Sequence, residues 1–243
     1  MRLRRHITAV VAAALSAAAL GAVGIAPAQA DVGDDYPVGI DFTADTTTII
    51  SKTGQPVTFG TTTLATRTDL TNVVGTLNLP QATAALKLGP ATLATFTISI
   101  VDPTKVTGTI TQGGSAEAPT LDLTVAQSFR IRLDKVAPLG IGSLGSSDLT
   151  LVPAGGNCST TTTTANLTGS IDATALFQQN TADAHVKGTY TIPPFQGDCG
   201  LFAPIINGLI TGPNNTLDVH LTKPVFDFGT TSRAAALTTI RSR

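Results

Sequence analysis

Tryptophan is absent from this 243-residue chain, tyrosine occurs twice, and Glu117 is the single glutamate. Charged residues make up only 13% and aromatic residues 5%. Each shortage argues against something. A lipid-facing β-barrel wants aromatic girdles at both interfaces, and their absence counts against an envelope channel. Phosphate recognition needs clustered Lys and Arg. Only Arg233, Arg241 and Arg243 gather, at the C-terminus, so nucleic acid is not an expected partner. Beyond residue 30 there are two cysteines and two histidines, with no C-x-x-C or H-x-x-x-H spacing. That offers no zinc-type ligand set, and neither a metal nor a cofactor is expected. What is abundant is threonine, at roughly one residue in six, and a Thr-rich, Glu-poor chain favours strands over helices.

The longest apolar run, Ile7 to Ala26, follows Met-Arg-Leu-Arg-Arg and ends in Ala-Pro-Ala-Gln-Ala. A basic start, an apolar middle and a small-x-small end make a secretory signal peptide over residues 1–30, with cleavage expected after Ala30. The alternative is a retained anchor, since the run is about long enough to span a bilayer. No cysteine follows it to take a lipid. Cleavage removes Arg2, Arg4 and Arg5 and leaves 12 basic against 16 acidic residues. The expectation is a secreted, extracellular protein, free or associated with the cell wall, with no transmembrane segment after cleavage. The terminal TTSRAAALTTIRSR carries no sorting motif, so residues 230–243 are expected to be a flexible tail.

Cys158 and Cys199 are the two cysteines. An exported chain with an even cysteine count pairs them as a disulfide, and closing residues 158–199 would stabilise the fold by about 4 kcal/mol in the chain-entropy model. A reactive thiol and a metal ligand are the alternatives.

Alternation of apolar and polar residues runs almost throughout. In Thr120–Asp134 the apolar phase is Leu121, Leu123, Val125, Phe129, Ile131 and Leu133, broken only by Gln127. That period of two marks a strand with one buried and one wet face. Fifteen extended residues would reach roughly 50 Å, so a bend or bulge is expected within them. Further strands are expected at Val38–Thr43, Pro56–Gly60, Val73–Leu79, Thr104–Thr111 and Ser147–Val152. Others surround Phe96/Ile98/Ile100, Val186/Tyr190/Ile192 and Leu217/Val219/Leu221. Short strands parted by Gly, Pro, Asn and Asp predict an all-β fold, an antiparallel β-sandwich or barrel-like body, over residues 31–229. One segment departs: apolar residues at 201, 202, 205, 206, 209 and 210 have helical spacing. Pro204 in the first turn and Gly212-Pro213 at the end fit one short helix near 201–210, with a buried strand as the alternative.

An internal echo is also present. VGTLNLP (74–80) and GPATLATFTI (89–98) resemble KGTYTIPP (187–194) and GPNNTLDVHL (212–221). A duplication would place two similar β units, about 38–135 and 136–229, in one body; convergent turn chemistry is the alternative.

Together, TYTIPPFQGDCG, GPNNTL, GTLNLP and a first cysteine in a Gly/Ser/Thr-rich loop resemble a set of secreted Thr-rich β proteins of actinobacteria, over most of residues 70–222. The resemblance implies export, a β fold and the Cys158–Cys199 bridge. It brings no activity and nominates no catalytic residue.

Catalytic motifs fail one by one. GIGSLGSSD (140–148) lacks the G-x-S-x-G spacing of a nucleophile elbow. Asp198, Asp218 and Asp227 could serve a glycosidase, yet nothing in their spacing selects a pair. Asp31, Asp34 and Asp35 lack the D-x-D-x-D-G calcium loop. His185 and His220 alternate with apolar neighbours and should point to solvent. The expectation is therefore no catalytic, cofactor or metal residue, and a non-enzymatic secreted or cell-envelope protein with a surface-interaction or structural role. Cell-envelope components or an apolar ligand are its expected partners. The alternative is a carrier of an apolar, lipid-like ligand between sheets, capped by Leu201, Phe202, Ile205, Ile206 and Leu209. An envelope channel or an unrecognised hydrolase comes behind both.

Overall fold

The computed structural model describes residues 36–88, 91–138, 152, 156–200 and 203–227. The strands are β1 (Val38–Ile50), β2 (Gln55–Thr58), β3 (Thr62–Thr68), β4 (Asn72–Leu77), β5 (Ala82–Leu88), β6 (Ala91–Val101), β7 (Val106–Gly114) and β8 (Pro119–Pro138). After β9 (Cys158–Ser159) and β10 (Thr163–Asp172) comes a helix, α1 (Ala173–Gln179). Then follow β11 (Asp183–Ile192), β12 (Gln196–Gly197), α2 (Ala203–Ile210) and β13 (Gly212–Asp227). The leader at 1–30, the Ser143 loop, the acidic residues Asp31, Asp34 and Asp35, and the tail at 230–243 lie outside the described residues, as does Ser147–Val152 apart from Val152.

Eight strands close into a ring. The order β10-β11-β13-β1-β3-β4-β7-β8 returns to β10 through a β8–β10 ladder that runs from Thr120↔Asp172 to Phe129↔Thr163. All of its pairings are antiparallel. The fold is thus all-β and barrel-like. Closure removes the unpaired edges that an open sheet would expose. The alternation seen in sequence is the alternation of wall faces. Ile40, Phe42, Ala44, Thr46, Thr48 and Ile50 of β1 are buried, as are Leu217, Val219 and Leu221 of β13.

β8 is the long strand, and it serves two sheets. Its first half belongs to the ring. Beyond Phe129 it pairs with β6, which pairs with β5, and Arg132 opposes Ser159 of β9. The expected irregularity is a bulge. Thr97 pairs with Lys135 but Ile98 with Leu133, leaving Asp134 as the extra residue. Asp134 accepts hydrogen bonds from Arg132 Nε at 2.6 Å, from Gln81 Nε2 at 2.9 Å and from Ser99 Oγ.

Two helices interrupt the strands. α2 occupies most of the span that helical spacing marked, with Pro204 in its first turn. α1 is an addition. Its signals were local and readable: Asp172 at the N-cap accepts from Ala175 N at 2.9 Å, and Asn180 adopts left-handed φ 52° beyond the last turn. Leu176 of α1 is buried. The two copies of the echo are paired differently: β11 lies beside β13, whereas β4 lies between β3 and β7, and β6 belongs to the second sheet.

The segment after β11 is a fastened turn. Pro193 and Pro194 follow the last paired residue, Ile192, and cannot donate to a ladder. Gly197 and Gly200 take φ +85° and +69°, conformations that an L side chain resists. Cys199 then bonds Cys158, with both residues buried and their Cα atoms 4.6 Å apart. Asn207 of α2 reaches back to Phe195, its Oδ1 accepting from Phe195 N at 2.8 Å and its Nδ2 donating to Phe195 O at 3.1 Å.

Candidate functional site

The barrel interior is not completely filled. An internal cavity of about 80 Å³ lies on the axis of the ring, and every ring strand contributes to its wall. Thr46, Leu64, Val73, Val106, Val125, Leu167, Val186 and Val219 supply one residue from each. Eight strands enclose a space that side chains just fill, or that holds one small ligand. Here the balance tips toward space because several inward positions carry little or no side chain. Ala165 is one, and the inward phase of β11 passes through Gly188. A Cβ on Gly188 would sit 1.9 Å from Asn166 O, so the close approach of β10 requires glycine there and leaves nothing to project inward.

The wall is apolar with a few polar points, and no charged residue lines it among the described residues. Gln127, the one break in the alternation of β8, is in the wall; its Nε2 donates to Thr104 O at 3.0 Å and Leu77 O at 3.2 Å. Thr66 Oγ1 donates to Ile40 O. Tyr190 stands against Phe129, edge to face at 5.7 Å, and its hydroxyl meets Thr48 Oγ1 at 3.0 Å. Burial pushes the Tyr190 phenol upward, and the Thr48 hydrogen bond opposes that in part. Thr46 differs: it is fully buried, and its Oγ1 has no hydrogen-bond partner among the described residues. A buried hydroxyl without a partner costs about 1–3 kcal/mol.

Of the residues expected to cap a ligand, Leu201 and Phe202 lie outside the described residues. Ile205 is 56% exposed, Ile206 is buried and Leu209 is half-buried against the core. None of these three lines the cavity. Phe59, just after β2, Leu79, just after β4, and Ile100 of β6 do. Periodicity could find the helix, but the direction in which it packs is set by Asn207 and by Lys52, whose Nζ donates to Gly208 O at 3.1 Å.

The three carboxylates weighed as catalytic pairs are separately engaged. Asp198 Oδ2 accepts from Asn157 N at 3.2 Å, Asp227 pairs with Arg67 at 2.6 Å, and Asp218 meets His185 and Lys187. Both histidines point to solvent as expected. Sequence reasoning missed that they face each other. His185 and His220 are register partners across β11 and β13, with parallel rings 4.4 Å apart, and Asp183 lies against them. The Asp183-x-His185 and Asp218-x-His220 pattern was the available signal. Asp183, His185 and His220 are the described residues able to offer a metal three ligand atoms together.

Fold and interior define a closed, eight-stranded antiparallel barrel with an apolar cavity and a disulfide-fastened end. Comparison with protein-family models, curated proteins and solved structures finds no match.

Proposed function

We propose that this chain is an exported, non-catalytic carrier that holds one small or slender apolar molecule inside the barrel. The observation that carries this reading is the cavity: an apolar space ringed by all eight strands, with one hydroxyl, Thr46 Oγ1, lacking a partner among the described residues. A hydrocarbon body with a single hydrogen-bonding group complements such a space, because the ligand's polar atom would satisfy Thr46 while the rest displaces no bound charge. Export draws support from the apolar leader and from the buried Cys158–Cys199 bridge, which belongs to oxidising compartments.

The carrier is favoured over a channel by the direction of the faces. A membrane barrel is apolar outside and polar within. Here the cavity wall is apolar, whereas Asp183, His185, Lys187, Asp218 and His220 lie on the outside of adjacent strands. Among the described residues no charge lines the cavity, which argues against hydrolysis inside it. A surface-contact role has one observation of its own, the exposed Phe177 and Val225 beside Phe226.

The test is organic extraction of the protein purified from its own cell envelope, with mass spectrometry of the extract, and titration of the emptied chain with a fluorescent alkyl probe. One extracted ligand per chain, or saturable probe binding lost in Ala165→Leu, is the expected result. An empty extract together with no saturable probe binding would overturn the reading.

A further inference from the structure

The outer wall between β11 and β13 carries a second arrangement, independent of the cavity. Each strand presents Asp-x-His outward, as Asp183-Ala-His185 and Asp218-Val-His220. Because His185 and His220 are direct register partners, the two rings stack 5° from parallel at 4.4 Å. Each carboxylate then reaches the ring of the opposite strand. Asp218 Oδ1 lies 2.7 Å from His185 Nδ1, and Asp183 Oδ1 lies 2.7 Å from His220 Nε2. One ligand atom from each of Asp183, His185 and His220 falls within 4.8 Å of the others. On the neighbouring strand β1, Asp45 is the register partner of His220, and it accepts from Thr61 Oγ1. Lys187 is two register positions along, opposite Asp218, its Nζ 3.0 Å from Asp218 Oδ2.

We propose that this cluster binds one divalent first-row transition-metal ion of the zinc and copper class, through Asp183, His185 and His220, with Asp218 as the carboxylate that orients His185. Imidazole donors suit these ions, whereas magnesium and calcium prefer all-oxygen cages. Ligand atoms each 2.0–2.1 Å from a tetrahedral ion stand about 3.3 Å from one another. The Asp183–His220 contact therefore opens slightly as the ion replaces the shared hydrogen, and His185 closes in by up to about 1.5 Å and tilts out of the ring stack so that both lone pairs meet the ion, a movement within the reach of half-exposed side chains. Asp218 on Nδ1 leaves Nε2 as the ligating nitrogen of His185, the carboxylate–histidine–metal arrangement that fixes a ring's tautomer. Asp45, Asp183 and Asp218 together outweigh the charge of Lys187, so the local field favours a cation. The fourth position opens to solvent and takes water. Bound metal cross-links β11 to β13, whose link in the chain is a long excursion through β12 and α2.

The test uses the untagged full-length mature chain, stripped with a chelator and titrated with zinc alone by calorimetry at neutral pH. One ion per chain is expected, with the affinity falling at least tenfold in His185→Ala and in His220→Ala. Asp218→Asn should lose roughly 10- to 100-fold, as orienting carboxylates do, while Asp45→Asn should retain affinity within a few-fold. All four positions are on the outer face, so circular dichroism and metal-free melting should match the wild type and separate lost ligands from lost fold. Zinc uptake that survives in the His185→Ala/His220→Ala double variant, or no uptake by the wild type, would overturn the proposal. Equal binding of magnesium would overturn the assignment of class.

Discussion

Tyr190 of β11 donates a hydrogen bond across 3.0 Å to Thr48 of β1, a residue 142 positions away in the chain. The direction follows from Thr48, whose own hydroxyl hydrogen goes to Thr216 O at 2.7 Å. Three ring strands, β1, β11 and β13, are thereby tied at one end of the cavity. Asn215 completes the tie. It is fully buried, with Nδ2 donating to Gly212 O at 2.7 Å and Tyr190 O at 3.3 Å, and Oδ1 accepting from Ser51 N at 3.0 Å.

Replacing Tyr190 with Phe should cost about 1 kcal/mol at neutral pH, the usual net value of one such bond. It should also change the alkaline limb. An unfolded tyrosine ionises near pH 10, whereas burial raises the folded group above that. The unfolded state loses its proton first, so this contribution is complete below about pH 10 and is lost as the pH rises toward the raised value. Urea unfolding at about pH 8 and about pH 10.5 should show a smaller pH loss in Tyr190→Phe than in the wild type. Equal losses would mean that the phenol is not buried.

Asp134 should contribute to stability against acid. Partial burial pushes its carboxyl upward, but hydrogen bonds from Ser99, Gln81 and Arg132, with the Arg132 charge, outweigh that and hold it below the ordinary value. A lowered folded value means that the contribution is present above about pH 4 and is lost as the pH falls through the folded value. Asp134→Asn should therefore flatten the acid limb of a stability–pH profile and loosen the bulge. An unchanged acid limb would remove Asp134 from the account.

Breaking the bridge should lower stability by up to about 4 kcal/mol, less where native strain offsets the entropy. Cys158→Ser and Cys199→Ser should melt lower to a similar extent, and the double variant should resemble either single one, because one bond is lost in all three. Since both sulfurs are buried, reductant added to folded protein should act only as fast as the chain opens. Melting temperatures unchanged in both single variants would refute the fastener.

Thr46→Val should separate the empty from the loaded protein. It replaces a buried hydroxyl that has no partner among the described residues with a methyl of similar size, so the emptied chain should gain about 1 kcal/mol. Affinity for a ligand with a hydrogen-bonding group should fall at the same time. A loss of stability in the emptied chain would show that Thr46 has a native partner.

Much of the wall was legible in the residues. Leu121 to Leu133 announced β8 and its irregularity, Leu201 to Ile210 announced α2, and Pro193-Pro194 with the two glycines announced the turn that Cys199 fastens. α1 was missed although Asp172 and Asn180 signal its ends, because seven residues give too few turns for periodicity to register. Gln127 stood out as a break, but only its position in the cavity wall explains it. Apolar spacing from Leu201 to Leu209 shows that a helix has a buried side but not what that side covers.

The sequence by itself determined strand content, the faces of the strands, the stops and the presence of a fastener, because alternation, proline, glycine and cysteine act over a few residues. Only the tertiary structure decided that β8 meets β10 to close the ring, that the closed ring leaves a cavity, and that His185 meets His220. The β8–β10 ladder joins residues 34 to 52 positions apart, and His185 and His220 are 35 apart. Period two says which way a side chain points, but the partner across the ladder is chosen by how all the strands together bury their apolar faces and satisfy their backbone hydrogen bonds.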